Sequence, residues 1–92
     1  INDEFTVMER AFFATAAYNA GPNNIRKARD QAAKAGFNPN KWFLNVEMVA
    51  AQMMGLETFF YVRNVYKYFV AYDVRQRKLD LDQAEKIRVE SK

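Results

Sequence analysis

The polar side chains best suited to bind a ligand stand together at Tyr18 and Asn19, where an apolar segment ends. An asparagine amide offers donors and an acceptor, which suits the hydroxyl and acetamido groups of an aminosugar. A tyrosine ring can stack on the apolar face of a sugar while its hydroxyl bonds a second group. Gly21-Pro22 follows at once, so the pair lies on the rim of a turn. The dipeptide alone leaves an alternative open, in which Asn19 only ends a helix and Tyr18 packs inward.

Other side chains with catalytic potential are sparse. The chain has no cysteine and no histidine, so thiol and imidazole chemistry are excluded. A metal site would need carboxylates alone, and the acidic residues are not clustered for one. We therefore predict no metal site and no cofactor. A second polar pattern, Glu57-Thr58-x-x-Tyr61-Val62, lies in an aromatic segment, where Tyr61 by itself could be one more packing residue.

The two patterns together resemble motifs of the family 23 lytic transglycosylases (SLT domain), which are relatives of goose-type lysozyme. The segment from Ala17 to Gly21 resembles the family's Ala-Tyr-Asn-Ala-Gly motif, and the segment from Glu57 to Val62 resembles its Glu-Thr-x-x-Tyr-Val motif. Residues 37–43 look most like the membrane-bound murein transglycosylase F branch. The resemblance covers about residues 5–72 and does not extend to the tail from Asp73.

The resemblance implies chemistry on peptidoglycan glycan strands in the periplasm or cell envelope of a bacterium, in a parent protein that an outer-membrane anchor could hold. Such enzymes cleave the β-1,4 bond between N-acetylmuramic acid and N-acetylglucosamine without adding water. One glutamate protonates the departing oxygen and then takes the proton of the muramoyl C6 hydroxyl as that oxygen closes on C1. The product is a 1,6-anhydro sugar, and one carboxylate suffices because the substrate supplies the nucleophile.

By the same resemblance, Tyr18 and Asn19 belong to the saccharide-binding cleft, with Ala20 and Gly21 shaping its floor. The hydroxyl of Tyr61 would orient the catalytic glutamate. That glutamate belongs to an upstream Glu-Ser motif, which this chain does not contain. Glu90-Ser91 has the right letters, but it lies in a charged terminal segment with no pocket. We therefore expect no catalytic residue in this chain and no activity from it in isolation, although its parent would be a lytic transglycosylase.

The elements that must position these residues are all helical, and the pattern predicts an all-α fold of four to five helices. The expected ranges are about 4–19 (with Asp3 as N-cap), 23–35, 45–53, 57–77, and a last helix opened by Asp80. Residues 1–78 would form the C-terminal portion of a lysozyme-like catalytic domain, followed by a charged helical tail, 79–92. Trp42 reads as a core anchor and not as a sugar platform.

The surface of this small domain raises two further questions. The helix over 57–77 is apolar on nearly all sides, so we expect the preceding part of the domain or a second copy to cover it. Phe12 and Phe13 are expected to pack against the same covering lobe.

The net charge is +3, and residues 22–44 are strongly basic. This segment is either a solvated helix face or an anion-binding surface, so a non-catalytic glycan-binding or protein/nucleic-acid interaction module is the alternative function. Our preferred interpretation involves no nucleic acid and no membrane span.

Overall fold

A computed structural model of the chain describes residues 5–90, which fold into four α-helices and no strand. The helices are α1 (Val7–Ala20), α2 (Pro22–Lys34), α3 (Glu47–Met54) and α4 (Glu57–Glu90). The first three helices and the beginning of α4 form the packed body. The all-α prediction is confirmed.

Helix α1 begins three residues later than predicted because Thr6 caps it. The Thr6 hydroxyl oxygen accepts a hydrogen bond from the Glu9 N–H at 3.1 Å. The proposed cap Asp3 lies outside the described residues. The Glu9 carboxylate reaches across the body and accepts from the Trp42 N–H at 2.9 Å. Glu9 therefore ties α1 to the chain that follows α2.

Gly21 forms the whole connection between α1 and α2. Its N–H donates to the Ala17 carbonyl at 2.8 Å, and its own carbonyl accepts from the Ile25 N–H at 3.2 Å. Its backbone has φ +96° and ψ 139°, which a residue with a Cβ rarely adopts. Pro22 then occupies the first helical position, where its missing N–H costs nothing. The Gly-Pro pair thus folds α2 back on α1 within one residue.

Helix α2 ends within one residue of the predicted position, 35, because Gly36 stops it. The Phe37 N–H bonds the Ala32 carbonyl at 2.9 Å, and the Gly36 N–H bonds the Ala33 carbonyl at 3.3 Å. This pair of bonds is a Schellman motif, which requires the positive φ (+90°) that Gly36 adopts.

The core is centred on Trp42, whose side chain is fully buried and meets the Phe13 ring edge-on at 5.6 Å. Trp42 is therefore the core anchor that we predicted. Phe13 is buried in this chain's own core, so the prediction that it faces another lobe is wrong. Phe12 is half-buried, and its ring packs against those of Phe43 and Tyr66 at 4.8 and 5.4 Å. The buried hydrophobic residues are Phe13, Ala16, Ile25, Ala28, Ala32, Trp42, Val46, Val49, Ala50 and Val62.

Helix α3 begins two residues later than predicted because an irregular turn, Trp42–Val46, precedes it. In this turn the Val46 N–H bonds the carbonyl of Lys41, five residues back, at 3.1 Å. Leu44 adopts φ 60° and ψ 9°, the left-handed conformation that costs a non-glycine residue free energy. Gly55, with φ +88°, ends α3.

Helix α4 is one continuous helix of 34 residues, so the prediction of two helices divided near Asp80 is wrong. No glycine or proline occurs between Glu57 and Glu90, and nothing else in this segment forces the helix to stop. Asp80 is not a cap, and its carboxylate oxygen accepts from Gln76 within the helix at 3.4 Å. The proposed boundary at residue 78 stays a prediction, and no break in α4 marks it.

Most of α4 extends away from the body, which gives dimensions of 61 × 31 × 18 Å. Thr58 and Val62 are its buried residues, and both lie in the first two turns. Large apolar side chains are exposed farther along it: Val65, Tyr66, Tyr68, Phe69, Val70, Tyr72, Val74, Leu79, Leu81, Ile87 and Val89. Within residues 5–90, no helix combines the length and apolarity needed to cross a membrane.

Candidate functional site

The two sequence motifs meet at a hydrogen bond between side chains 39 residues apart in sequence. The buried Thr58 hydroxyl donates to the Asn19 Oδ1 at 2.7 Å. This bond joins the C-terminal end of α1 to the first turn of α4. Asn19 therefore does more than end a helix. The sequence analysis placed Thr58 in a motif but not among the candidate binding residues. Its hydrogen bond to Asn19 adds it to the candidate site.

The two tyrosines have different surroundings. Tyr18 is 85% exposed, so the alternative in which it packs inward is excluded, and its ring is accessible to a ligand. Tyr61 is half-buried on α4, one helical turn beyond Thr58. Residues three apart on a helix are neighbours on its surface. The Tyr61 side chain therefore lies beside the point where α4 meets Asn19.

The backbone at Ala20 and Gly21 is fixed by local hydrogen bonds. The Asn24 side-chain amide donates to the Ala20 carbonyl at 2.8 Å. A Cβ built on Gly21 would meet only the Asn24 Nδ2, at 3.8 Å. Glycine is therefore required at position 21 by its backbone conformation and not by crowding.

A second polar centre, which sequence reasoning missed, joins α3 to α4. Glu47 is fully buried, and its two carboxylate oxygens accept from Arg63 Nε and Nη2 at 2.7 and 2.8 Å. Oxygen Oε1 also accepts from the Leu44 N–H at 3.1 Å. The usable signal was a lone acid inside the apolar run from Val46 to Ala50.

Arg63 also contacts two aromatic rings. Its guanidinium carbon lies 4.8 Å from the centroid of Phe59 and 5.4 Å from that of Phe43. Hydrogen bonding to Glu47 raises the pKa of the Arg63 guanidinium, against a smaller opposing effect of desolvation. A raised pKa in the folded chain means that this stabilisation is lost only as the pH rises above the ordinary arginine range.

Two grooves lie beside the first half of α4. An apolar groove of about 190 Å³ lies between α1 and α4, with Phe12, Val62 and Phe69 among its lining residues. A more open groove of about 550 Å³ lies beside the Trp42–Val46 turn and is lined by Phe43, Leu44, Phe60, Arg63, Asn64, Tyr66 and Lys67. Neither groove is lined by Tyr18, Asn19 or Tyr61. Neither groove therefore coincides with the two motifs.

The glutamates within residues 5–90 are placed in structural or exposed positions. The Glu9 and Glu47 carboxylates are engaged by the Trp42 backbone and by Arg63. The other three, Glu57, Glu85 and Glu90, are exposed on α4. Glu57 lies one helical turn before Tyr61 on α4, and its side chain is exposed. Ser91 of the rejected Glu-Ser pair lies outside the described residues.

The basic segment is partly used for structure. Arg29 donates to the Pro39 carbonyl at 2.9 Å and to the Asn40 Oδ1 at 2.8 Å, and it covers the rings of Phe5 and Phe13 at 4.8 Å. Its charge is therefore tied to the turn after α2. Over residues 5–90, no group of three or more side chains is arranged to hold a metal ion.

Comparison with known proteins shows similarity to membrane-bound lytic murein transglycosylase F from pseudomonads. The protein from Pseudomonas fluorescens strain Pf0-1 is 33% identical over 90 residues, which covers 82% of this chain and 18% of that protein. The protein from Pseudomonas fluorescens strain Pf-5 is 45% identical over 42 residues, covering 46% of this chain and 9% of that protein. The protein from Pseudomonas putida strain F1 is 40% identical over 42 residues, with the same coverage.

These partial similarities support the lytic transglycosylase family. The chain spans less than a fifth of the length of these relatives. No protein-family model matches the chain, and no solved structure matches it.

Proposed function

We propose that this chain forms one wall of the glycan-binding cleft of a lytic murein transglycosylase of the SLT type, from the membrane-bound murein transglycosylase F branch. One observation carries the proposal: the Thr58–Asn19 hydrogen bond joins the two motifs, which are far apart in sequence, at a single place. The exposed Tyr18 is adjacent to Asn19 in sequence, and the half-buried Tyr61 lies one helical turn after Thr58 on α4. Aromatic faces beside amide groups suit N-acetylated sugars.

The proposed reaction of the parent enzyme is the non-hydrolytic cleavage of the N-acetylmuramic acid β-1,4 N-acetylglucosamine bond. A glutamate protonates the departing glycosidic oxygen and then accepts the C6 hydroxyl proton as that oxygen bonds to C1. The product is a 1,6-anhydromuramoyl end. Tyr18 and Asn19 would hold the saccharide against the turn formed by Ala20 and Gly21, and the Tyr61 hydroxyl would orient the glutamate.

We infer that the chain in isolation does not catalyse this reaction, because its described glutamates are exposed or engaged elsewhere. Incubation of the 92-residue chain with purified peptidoglycan should therefore release no anhydromuropeptides, as followed by chromatography with mass detection. Release above the level of a heat-denatured control would contradict this inference. Joining the chain to a Glu-Ser-containing upstream segment of a relative should restore release, and Tyr61→Phe in that fusion should reduce it.

Glycan binding itself is tested separately by nuclear magnetic resonance. Titration with N-acetylglucosamine oligomers or muropeptides should shift the backbone signals of Tyr18 and Asn19, whereas cello-oligosaccharides, which lack acetamido groups, should shift them less. Salt-sensitive binding of nucleic acid, with no effect of the N-acetylated sugars, would instead favour the interaction module. That alternative has less support because Arg29, in the basic segment, is bound to the turn after α2.

The proposal places the parent enzyme at its substrate, in the periplasm or cell envelope of a bacterium. It also includes a cover for the exposed apolar residues of α4, supplied by the preceding part of the domain or by a second copy of the chain. Sedimentation velocity at increasing concentration tests the second of these. A compact monomer throughout would exclude self-association.

A further inference from the structure

The orientation of the Asn19 side chain follows from the hydrogen bond that it accepts. A threonine hydroxyl has one hydrogen to donate, and that of Thr58 goes to the Asn19 Oδ1 at 2.7 Å. Thr58 is only 4% exposed, so little solvent competes for this hydrogen. In the opposite amide orientation, Asn19 would donate to Thr58, and the hydroxyl hydrogen would need another acceptor. The bond therefore selects the orientation with the oxygen facing α4.

This orientation leaves the Asn19 Nδ2 pointing away from Thr58. Within residues 5–90, Nδ2 donates to no protein acceptor, and Asn19 is only half-buried. The amide thus presents two N–H donors to a ligand, while its acceptor is already occupied. A site of this kind is matched by an acceptor atom on the ligand and mismatched by a donor.

We propose that Thr58 is a positioning residue that makes the site selective for the acetyl carbonyl oxygen of an N-acetylated aminosugar. This inference rests on the proposed function, since it assumes that a glycan binds at Tyr18 and Asn19. A deacetylated aminosugar carries an ammonium group, which has only donors to offer the Asn19 N–H groups. Sites that hydrogen-bond one particular ligand group reject analogues that lack it, because the protein groups are then left unpaired.

The first test compares Thr58→Val, which removes the hydroxyl and keeps the shape, with Thr58→Ser, which keeps the hydroxyl. Affinities for N-acetylated and deacetylated chitotetraose are measured for each by nuclear magnetic resonance titration. The unmodified 92-residue chain should bind the acetylated sugar about tenfold more tightly than the deacetylated one, which is the scale of one hydrogen bond. Thr58→Ser should retain that preference, and Thr58→Val should lose most of it. An unchanged preference in Thr58→Val would overturn the inference.

A second variant tests the donor arrangement without altering Thr58. Asn19→Asp keeps one oxygen to accept from Thr58 and replaces the two N–H donors with a second acceptor oxygen. It should reverse the preference toward the deacetylated, cationic sugar. A persistent preference for the acetylated sugar would show that Asn19 donors do not select the ligand.

The carbonyl ¹³Cγ signal of Asn19 provides a readout that needs no glycan. It should move upfield in Thr58→Val, because the oxygen no longer accepts a hydrogen bond, and stay in place in Thr58→Ser. An unmoved signal in a folded Thr58→Val chain contradicts the positioning role. If the unmodified 92-residue chain binds neither sugar at Tyr18 and Asn19, the proposed function fails and the inference fails with it. Sugar binding that is indifferent to Thr58 overturns the inference alone.

Discussion

Arg63 holds both carboxylate oxygens of Glu47, and the two side chains differ sharply in their exposure. Glu47 is fully buried, whereas the Arg63 side chain remains 42% exposed, with Nε–Oε2 and Nη2–Oε1 distances of 2.7 and 2.8 Å. The pair fastens α4 to the beginning of α3 and, through the Leu44 N–H, to the Trp42–Val46 turn. The burial is one-sided, so the two partners should respond differently to mutation.

Removing the arginine should cost more than neutralising the acid. Arg63→Met leaves a buried carboxylate with only a backbone partner, and breaking a buried pair in this way costs about 3 kcal/mol. Glu47→Gln leaves Arg63 able to turn toward water, so we expect a loss of about 1–2 kcal/mol. Urea unfolding measures both. Arg77→Met, which breaks an exposed pair with Asp73, is the control and should cost about 0.5 kcal/mol or less. Equal losses for the two Glu47–Arg63 variants would contradict the asymmetry.

Leu44 should be replaceable with a gain in stability. Its side chain is 66% exposed, and its backbone is left-handed, with φ 60°. Asparagine tolerates this conformation better than leucine, so Leu44→Asn should raise the unfolding free energy by about 0.5–1 kcal/mol. Thermal unfolding checks the change. Leu79→Asn, at a similarly exposed position inside α4 with helical backbone, should give no gain.

Gly21→Ala should destabilise the fold through backbone strain and not through a clash. The added Cβ would have space, since its nearest neighbour is 3.8 Å away, but the backbone has φ +96°. Strained backbone of this kind costs about 1–3 kcal/mol. Denaturant unfolding gives the loss, and Ala33→Gly on the exposed face of α2 is a control that should cost about 1 kcal/mol. A loss for Gly21→Ala within 0.3 kcal/mol of zero would be inconsistent with the strained link.

The fluorescence of Trp42 should report the state of the core and should not respond to a bound glycan. It is the single tryptophan and is fully buried, so its fluorescence should be blue-shifted and poorly quenched by acrylamide. Saturation with an N-acetylglucosamine oligomer should leave both properties unchanged. A Trp introduced at the exposed position 18, in Tyr18→Trp, should instead respond to the sugar. If the sugar instead reduces the acrylamide quenching of Trp42, Trp42 is again a candidate for stacking against the sugar.

The sequence by itself determined the helical class and most helix ends. Gly21-Pro22, Gly36 and Gly55 end helices because their backbone conformations or ring constraints act locally, whatever the rest of the chain does. The continuity of α4 through Asp80 was missed, although the absence of glycine and proline from 57–90 was visible. An aspartate caps a helix only where its own backbone leaves the helical conformation, and α4 is helical through Asp80.

Only the tertiary structure decided which side chains meet. Nothing local to Asn19 indicates Thr58 as its partner, and nothing local to Glu47 indicates Arg63, because these pairs depend on how α1, α3 and α4 cross. The same crossing buried Phe13 in this chain's own core, whereas the sequence analysis expected it to pack against a covering lobe. Local conformation is encoded by neighbouring residues, whereas side-chain partners 16 and 39 positions apart are set by packing.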